Sequence, residues 1–458
     1  MALENTSFVN EINQIAQNGP TNVMFHWRAD ILANGQTLPA QKLLSRDRIC
    51  NYVESYADET IVELVFGKGT YNHDVLPYKE NLLITLYREP LGEVALSATD
   101  TSTQVITQQF RGVIIDPKSA VIEGNDPYAQ DKDASDLTNL VYIKFQLLDL
   151  TIEQLRMRTT GMTLRNTTGA EAIRYILTTE SAKVNIDSDQ KVQGVDLYPP
   201  NNTQPQNHIV IPHGTRVTDV PEMIVQRAGG IYNAGFGFYL QAARWYIYPL
   251  YDIKRYDNSL KTLTLFNVPK NRLPGTERTF RTTANQVIAL VTGDVKHMDN
   301  TEAQQLNQGN GVRFADATKI MDGFVTVKDN KAQVLRSKNN NEYLAESRDT
   351  GLNNVQLATN RITSNPFQEL SKLARRAGSH LMCRWENSDP DLIFPGMPVK
   401  YMYIVDDQVV EAIGTVVFAH HFTGTDRPGF TTQRHVTSSV LTLFLNKKID
   451  WSQVDVDA

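Results

Sequence analysis

His420 and His421 stand side by side near the end of this sequence, with His435 close behind them. Three imidazoles could in principle hold a metal ion. The surrounding sequence, VVEAIGTVVFAHHF, reads as a strand, however, and neighbouring residues on a strand point to opposite faces, so His420 and His421 cannot readily share one ion. Cys50 and Cys383 are the only cysteines. They make no disulfide framework and no CxxC pair, and Cys383 sits in an apolar strand with no base nearby, which suits a buried structural thiol. Asp389 and Asp391 flank Pro390 in a turn, where carboxylates favour local hydrogen bonding, and nothing else points to a glycosidase pair. Gly67-Lys68-Gly69-Thr70 lacks the spacing of a phosphate loop, and Gly235-Phe236-Gly237 is no dinucleotide fingerprint. Tyr232, Phe236, Phe238, Tyr239, Trp245, Tyr246, Tyr248 and Tyr251 form the densest aromatic cluster. They could make a stacking platform for sugars or bases, but a hairpin packing on a helix over 218–228 is the preferred reading. The expectation is therefore no catalytic, cofactor-binding or metal-binding residue, no cofactor, and no enzyme.

The elements that carry these residues are mostly strands. Residues 7–17 predict a short helix with Phe8, Ile12 and Ile15 on one face, stopped by Asn18-Gly19-Pro20. TIVELVF (60–66), NLLITLY (81–87), QVITQQFRGVIID (104–116) and LVYIKFQLLDL (140–150) then read as strands divided by turn-rich loops. The middle of the chain mixes types. Residues 167–180 have helical spacing with Thr168 as the N-cap, and 215–230 predict a helix capped by Thr218, with Pro221 in its first turn and Gly229-Gly230 at its end. Two aromatic strands (236–251) and a third strand (259–268) follow. Residues 283–297 return to strand, NPFQELSKLARRAG (365–378) predicts a helix, and four strands close the chain. This divides the sequence into an N-terminal helix or arm (1–20), a first β-barrel (21–150), a mixed α+β region (151–280), a second β-barrel (283–298 and 360–458) and a polar extension (299–359). The fold class is mainly β with α+β parts.

The two β regions repeat one another. Each runs strand, turn with proline, strand, strand interrupted by glycine, final strand, with Pro77 and Pro395 in the turns and Gly112 and Gly414 in the third strands. A glycine inside a strand marks a bulge or a close backbone approach. Two copies of one antiparallel barrel are expected.

Composition fits that picture. The 458 residues are 41% hydrophobic and 21% charged, with a net charge of −6, which describes a folded protein without the basic excess that phosphate-gripping proteins carry. Residues 1–150 hold 11 basic and 20 acidic groups, a net of −9. No signal peptide and no apolar run of about 18 residues is seen, so a soluble chain made in a cytoplasm, without stable membrane insertion, is expected.

The segment IPHGTRVTDVPEMIVQRAGGIYNAGFGFYLQAARWYIYPLYDIKRYD (211–257) resembles the central domain of baseplate or tail hub proteins of tailed bacteriophages, mainly contractile ones. PGMPVKYMYIVDDQVVEAIGTVVFAHHF (395–422) resembles their closing barrel strands. The resemblance implies two tail-tube-like barrels per chain. It implies a homotrimer that joins a sixfold tail tube protein above to a threefold central spike protein below. It also implies contacts with other baseplate proteins and a conduit for DNA that passes without sequence-specific binding. The expected location is the virion tail, assembled in the host cytoplasm. Tail-associated cell-wall hydrolases and carbohydrate-binding tail proteins are the alternative readings.

Overall fold

The computed structural model describes residues 2–17, 24–91, 106–115, 140–187, 190–227, 230–270, 279–293, 325–328, 331–334, 371, 374–375, 378–405, 408–426 and 434–446. Its first unit contains β1 (Met24–Ala33), β2 (Gln36–Pro39), β3 (Lys42–Asn51), β4 (Glu59–Gly67), β5 (Leu82–Leu91), β6 (Ile106–Ile115) and β7 (Leu140–Asp149). The middle unit has β8 (Thr159–Thr167), β9 (Gly194–Leu197), β10 (Gln206–Arg216), β11 (Gly237–Gln241) and β12 (Arg244–Tyr248). The remaining strands are β13 (Thr262–Asn267), β14 (Phe280–Thr282), β15 (Gln286–Val291), a separate hairpin of β16 (Val325–Lys328) and β17 (Lys331–Val334), then β18 (Ser379–Trp385), β19 (Pro398–Val405), β20 (Gln408–Thr425) and β21 (His435–Leu445). Among the described residues the α-helices of eight residues or more are α1 (Ala2–Gln17), α2 (Leu150–Met157), α3 (Gly169–Ala182) and α4 (Val220–Arg227).

One 14-stranded sheet carries both β regions. The order β3-β4-β7-β6-β5-β1 makes the wall of a first ring. Strand β20 pairs with β3 on one side and β21 meets β1 at Phe25–His435 on the other, so these two late strands close it. The order β15-β13-β19-β20-β21-β18 makes a second ring, closed by a bridge between Thr292 and Arg384. The rings thus share β20 and β21. Strand β20 is 18 residues long, far beyond the usual five or six. Its Gln408–Thr415 part pairs with β19 and its Phe418–Gly424 part with β3, and a bulge lies between Val416 and Phe418, where it passes from one ring to the other.

The expected repeat has a definite register. In each region the first strand pairs with the last, the last with the third, and the third with the second: β4-β7-β6-β5 and β18-β21-β20-β19. Gly112 lies opposite Leu82 and Leu147, and Gly414 opposite Val399 and Leu445. Neither glycine has a positive φ. Close approach alone requires them: a Cβ on Gly112 would come 2.5 Å from Ile84 Cδ1, and one on Gly414 would strike the Phe444 carbonyl.

Several expectations need correction. The strand at 259–268, assigned above to the middle region, is β13 and pairs in parallel with β15 and β19 of the second ring. Its run TLTLFN is buried at nearly every position, as a strand covered on both faces must be, and the second ring is therefore mixed rather than wholly antiparallel. The 21–150 region does not close on its own strands. Thr218 does not cap a helix; it lies in a 3-10 turn, Val217–Asp219, that leads into α4. Thr168, by contrast, caps α3 in a reciprocal box with Glu171. Most of the proposed helix at 365–378 and most of 299–359 lie outside the described residues.

Each ring is filled with side chains. Trp27, Ile31, Val62, Leu64, Phe66, Ile84, Leu86 and Phe145 pack the first, and Leu263, Val287, Leu381, Trp385, Val399, Tyr401, Leu441 and Leu443 belong to the core of the second. Helix α1 lays Phe8 and Ile15 on Phe266, Val268, Ile288 and Leu290.

Candidate functional site

The two rings and the middle unit meet at a buried cluster of charges. Strand alternation sends Arg46 and Arg48 of β3 inward and leaves Asp47 and Ile49 on the other face. Arg88 enters from β5. The turn after β18, Pro390–Leu392, brings Asp389 and Asp391 against them. Arg88 Nη1 donates to Asp389 Oδ1 at 2.7 Å and lies 2.8 Å from Asp391 Oδ2. Arg48 Nη1 reaches Asp391 Oδ1 at 3.3 Å, and Arg48 Nε donates to Asp58 Oδ2 at 2.6 Å. The middle unit joins through Tyr239, whose hydroxyl donates to Asp58 Oδ1 at 2.8 Å, and through Gln241, which donates to the Ile393 carbonyl at 2.7 Å. Arg46 stacks over Trp27 and Arg88 over Phe25, at 4.5 and 4.4 Å from the ring centroids.

Burial dominates the electrostatics. It would raise the Asp391 carboxyl, but Arg88 and Arg48 outweigh it and hold that group below the usual carboxylate range. Asp389, fully enclosed and beside Asp391, is pushed up despite Arg88. Burial and then neighbouring Arg48 lower Arg46 to about 10. The arrangement sets the Arg48 and Arg88 guanidinium groups against three carboxylates, while Arg46 Nη2 donates to Gln108 Oε1 at 3.3 Å. Such a cluster fixes orientation, and removing one member leaves a charge buried without its counterion.

The histidines named from sequence do not converge. His420 bonds to Asp47 on the outer side. His421 turns inward, its Nδ1 2.6 Å from Ser439 Oγ. His435 closes the first ring: its Nδ1 accepts from the Trp27 backbone N–H at 3.2 Å and its Nε2 donates to the Leu43 carbonyl at 2.9 Å. No three His, Cys, Asp or Glu side chains are placed to share a metal ion among the described residues. Both thiols are buried and neutral. Burial pushes Cys50 up, and Cys383 up to about 12. Residues 68–70 make a single helical turn after β4. The aromatic hairpin is buried on both faces: Phe238 and Trp245 pack with Ile173 and Ile224 of the helices, while Tyr239 and Tyr248 join the core between the rings. Its rings are wedges between units, which leaves little face for a sugar to stack on.

Sequence reasoning missed the charged cluster. A signal was present, since Arg46, Arg48 and Cys50 alternate along a strand whose inward face must be buried, and buried arginines require carboxylate partners.

His421 makes the cluster sensitive to pH. Burial, and then Arg48, hold its imidazole well below 6.5. The unfolded chain takes up a proton below about 6.5 and the folded chain does not, so this contribution to stability is complete above that pH and is lost as pH falls beneath it. We expect His421→Gln to flatten the decline in urea midpoint between about pH 6.5 and 4.5, by up to about 1.4 kcal/mol per pH unit. Asp389, whose raised carboxyl acts in the opposite sense, is common to both proteins and cancels in the comparison. Parallel pH profiles for the two would contradict the assignment.

No family model and no curated protein matches the chain. Solved structures do, among them tail proteins and a component of the type VI secretion system. A tail protein of Neisseria meningitidis is similar at 10% identity and a TM-score of 0.43, over 92% of this chain and 96% of that one. An Escherichia coli component of the type VI secretion system, described as structurally similar to the T4 bacteriophage tail proteins gp27 and gp5, is similar at 8% identity and a TM-score of 0.42, over 91% and 77%. A 43 kDa tail protein of prophage MuSo2 from Shewanella oneidensis is similar at 9% identity and a TM-score of 0.41, over 91% and 96%. These are loose likenesses, and they assign no activity, partner or assembly to this chain.

Proposed function

We propose that the chain is a structural hub of a phage-type tail, a trimer that adapts a sixfold tube to a threefold spike. The observation that carries this reading is the repeat: two β rings of the same four-strand order and glycine register, joined by shared strands within one chain. Three such chains in a circle present six rings, which meets sixfold symmetry on one side while keeping threefold symmetry on the other. Both rings are filled with side chains, so a passage for DNA runs between copies rather than through a barrel. The resemblance of residues 211–257 and 395–422 to tail hubs points the same way, and the acidic excess of residues 1–150 suits a wall along which DNA slides without sticking. On this reading the partners are a tail tube protein, a central spike protein and other baseplate proteins, the location is the virion tail, and the chain is neither an enzyme nor a cofactor carrier. Among the described residues no helix is long and apolar enough to cross a membrane.

Light scattering on the full chain, with images of the assembled particle, tests this. Three copies per closed ring are expected. A closed dimer, or a ring of six chains, would overturn the hub.

A further inference from the structure

Strands β8 and β10 form a two-stranded sheet in the middle unit, and no further strand joins either side of it among the described residues. Its inner face is covered: Ile209 and Ile211 are buried with Ile224 of α4 in the core of that unit. Its outer face is open. Arg165 lies opposite His208, Thr163 opposite Val210 and Thr159 opposite Arg216. All six are exposed, Val210 at 58%. Neither strand contains an Asp or a Glu, and Arg165, Arg216 and Arg227 pair with no carboxylate among the described residues. A shallow groove borders β10, lined by His208, Ile209 and Val210 from the strand and by Met223, Ile224 and Arg227 from α4. No β8 residue lines it, so it lies on the side of β10 away from β8. His208 and Val210 point outward and Ile209 inward, so a groove that touches all three follows the edge of the strand rather than one face.

We propose that this groove receives an extended acidic segment of a partner protein, which pairs with β10 as a third strand. The backbone supplies the first argument. An edge strand offers a row of N–H and C=O groups to any extended chain, and proteins blunt such edges with proline, bulges and charge. Here Pro212 and the bulge between Ile211 and Thr215 interrupt only the far half of β10. Gln206–Ile211 keeps an unbroken register, enough for a partner strand of about five or six residues. The side chains select the partner. An added strand has two faces. Toward the core it meets Met223 and Ile224, which suit apolar side chains. Toward the outer face and the end of the groove it meets His208 and Arg227, which suit carboxylates, and Arg165 and Arg216 add to the same positive field. A basic segment is repelled there, and a wholly apolar one leaves the guanidinium groups unmatched. The fitting sequence therefore alternates apolar and acidic residues. Every residue in the groove belongs to one chain, so the inference does not depend on the trimeric reading.

Fluorescence anisotropy on the full chain tests this with a labelled peptide, acetyl-Gly-Val-Glu-Val-Asp-Val-Gly-amide. Wild type should bind it saturably, with a Kd below about 1 mM. His208→Glu with Arg227→Glu should weaken binding by at least about tenfold, and the milder Arg227→Ala should weaken it less, while Arg174→Glu, an exposed change on α3, matches wild type. Two altered peptides separate the causes. Lysine in place of the acidic residues should abolish binding. Methylation of one of the two alternate sets of backbone amides should do the same, because a methylated nitrogen cannot donate to β10. Thermal melts check that each variant is folded, and should the double variant not fold, Arg227→Ala decides in its place. No saturable binding by wild type, or unchanged binding by the folded double variant, overturns the site. Undiminished binding of both methylated peptides overturns the strand pairing. A DNA duplex that binds more tightly than the peptide, and is lost with the same double variant, makes nucleic acid the occupant and overturns the acidic partner. None of these results depends on the number of copies in the assembly, so the hub reading stands or falls separately.

Discussion

Replacing Arg88 by Met should destabilise the protein by about 3–5 kcal/mol, seen as a lowered urea midpoint at neutral pH. The guanidinium is 2% exposed and Asp389 is fully enclosed, so the substitution leaves a buried carboxylate facing hydrocarbon. Asp389 retains the Asp391 backbone N–H, 3.2 Å from its Oδ1, which is too little to replace a cation at 2.7 Å. The companion change Asp389→Asn separates the causes. In the double variant no unpaired charge remains, and the side-chain carbonyl still accepts from Asp391. Arg88→Met with Asp389→Asn should therefore recover most of the loss. If the single variant costs less than about 1 kcal/mol, the cluster does not hold the rings together, whatever its geometry.

Gly414→Val should be the more damaging of the two glycine substitutions, although both glycines hold the same register. At Gly414 the new Cβ would strike backbone, the Phe444 carbonyl, in a strand pair that serves both rings. Backbone cannot rotate away, and separating β20 from β21 opens two cores together. A cost of about 3 kcal/mol or more is expected, or failure to fold. At Gly112 the obstacle is the Ile84 side chain, with Cδ1 at 2.5 Å and Cγ1 at 2.8 Å. Its far end can turn to another rotamer, and a cost of about 1–2 kcal/mol is expected. Denaturation midpoints of the two variants decide the ranking, and equal losses would show that the close backbone approach at Gly414 is relieved elsewhere.

The repeat was legible because its marks are local: an in-strand glycine, a proline-bearing turn, alternating apolar residues. The same holds for α3, where Thr168 and Glu171 spell the capping box, and for the opposed faces of His420 and His421. What local pattern does not carry is partnership across the chain. Nothing within TLTLFN says that β13 pairs with β15 and β19, because a strand buried on both faces suits either neighbouring unit. Nothing near Arg88 names Asp389, 301 positions away. The sharing of β20 was hidden for a different reason. Its 18 residues read as one strand, and only the bulge at Val417 divides its service between the rings.

That sharing sets a schedule for synthesis. Phe25 pairs with His435, and the Trp27 amide bonds to the same imidazole 408 positions on. Contacts so distant in sequence form late and slow folding. As the chain emerges from the ribosome, the first six-stranded wall is complete by β7, yet it waits with β1 and β3 unsealed until β20 and β21 arrive. During that interval its two open edges invite pairing with other nascent chains. A transcript broken anywhere before β20 yields a product with neither ring closed. The last strands to be made thus act as a proofreading step, since only copies that reach β21 close either ring.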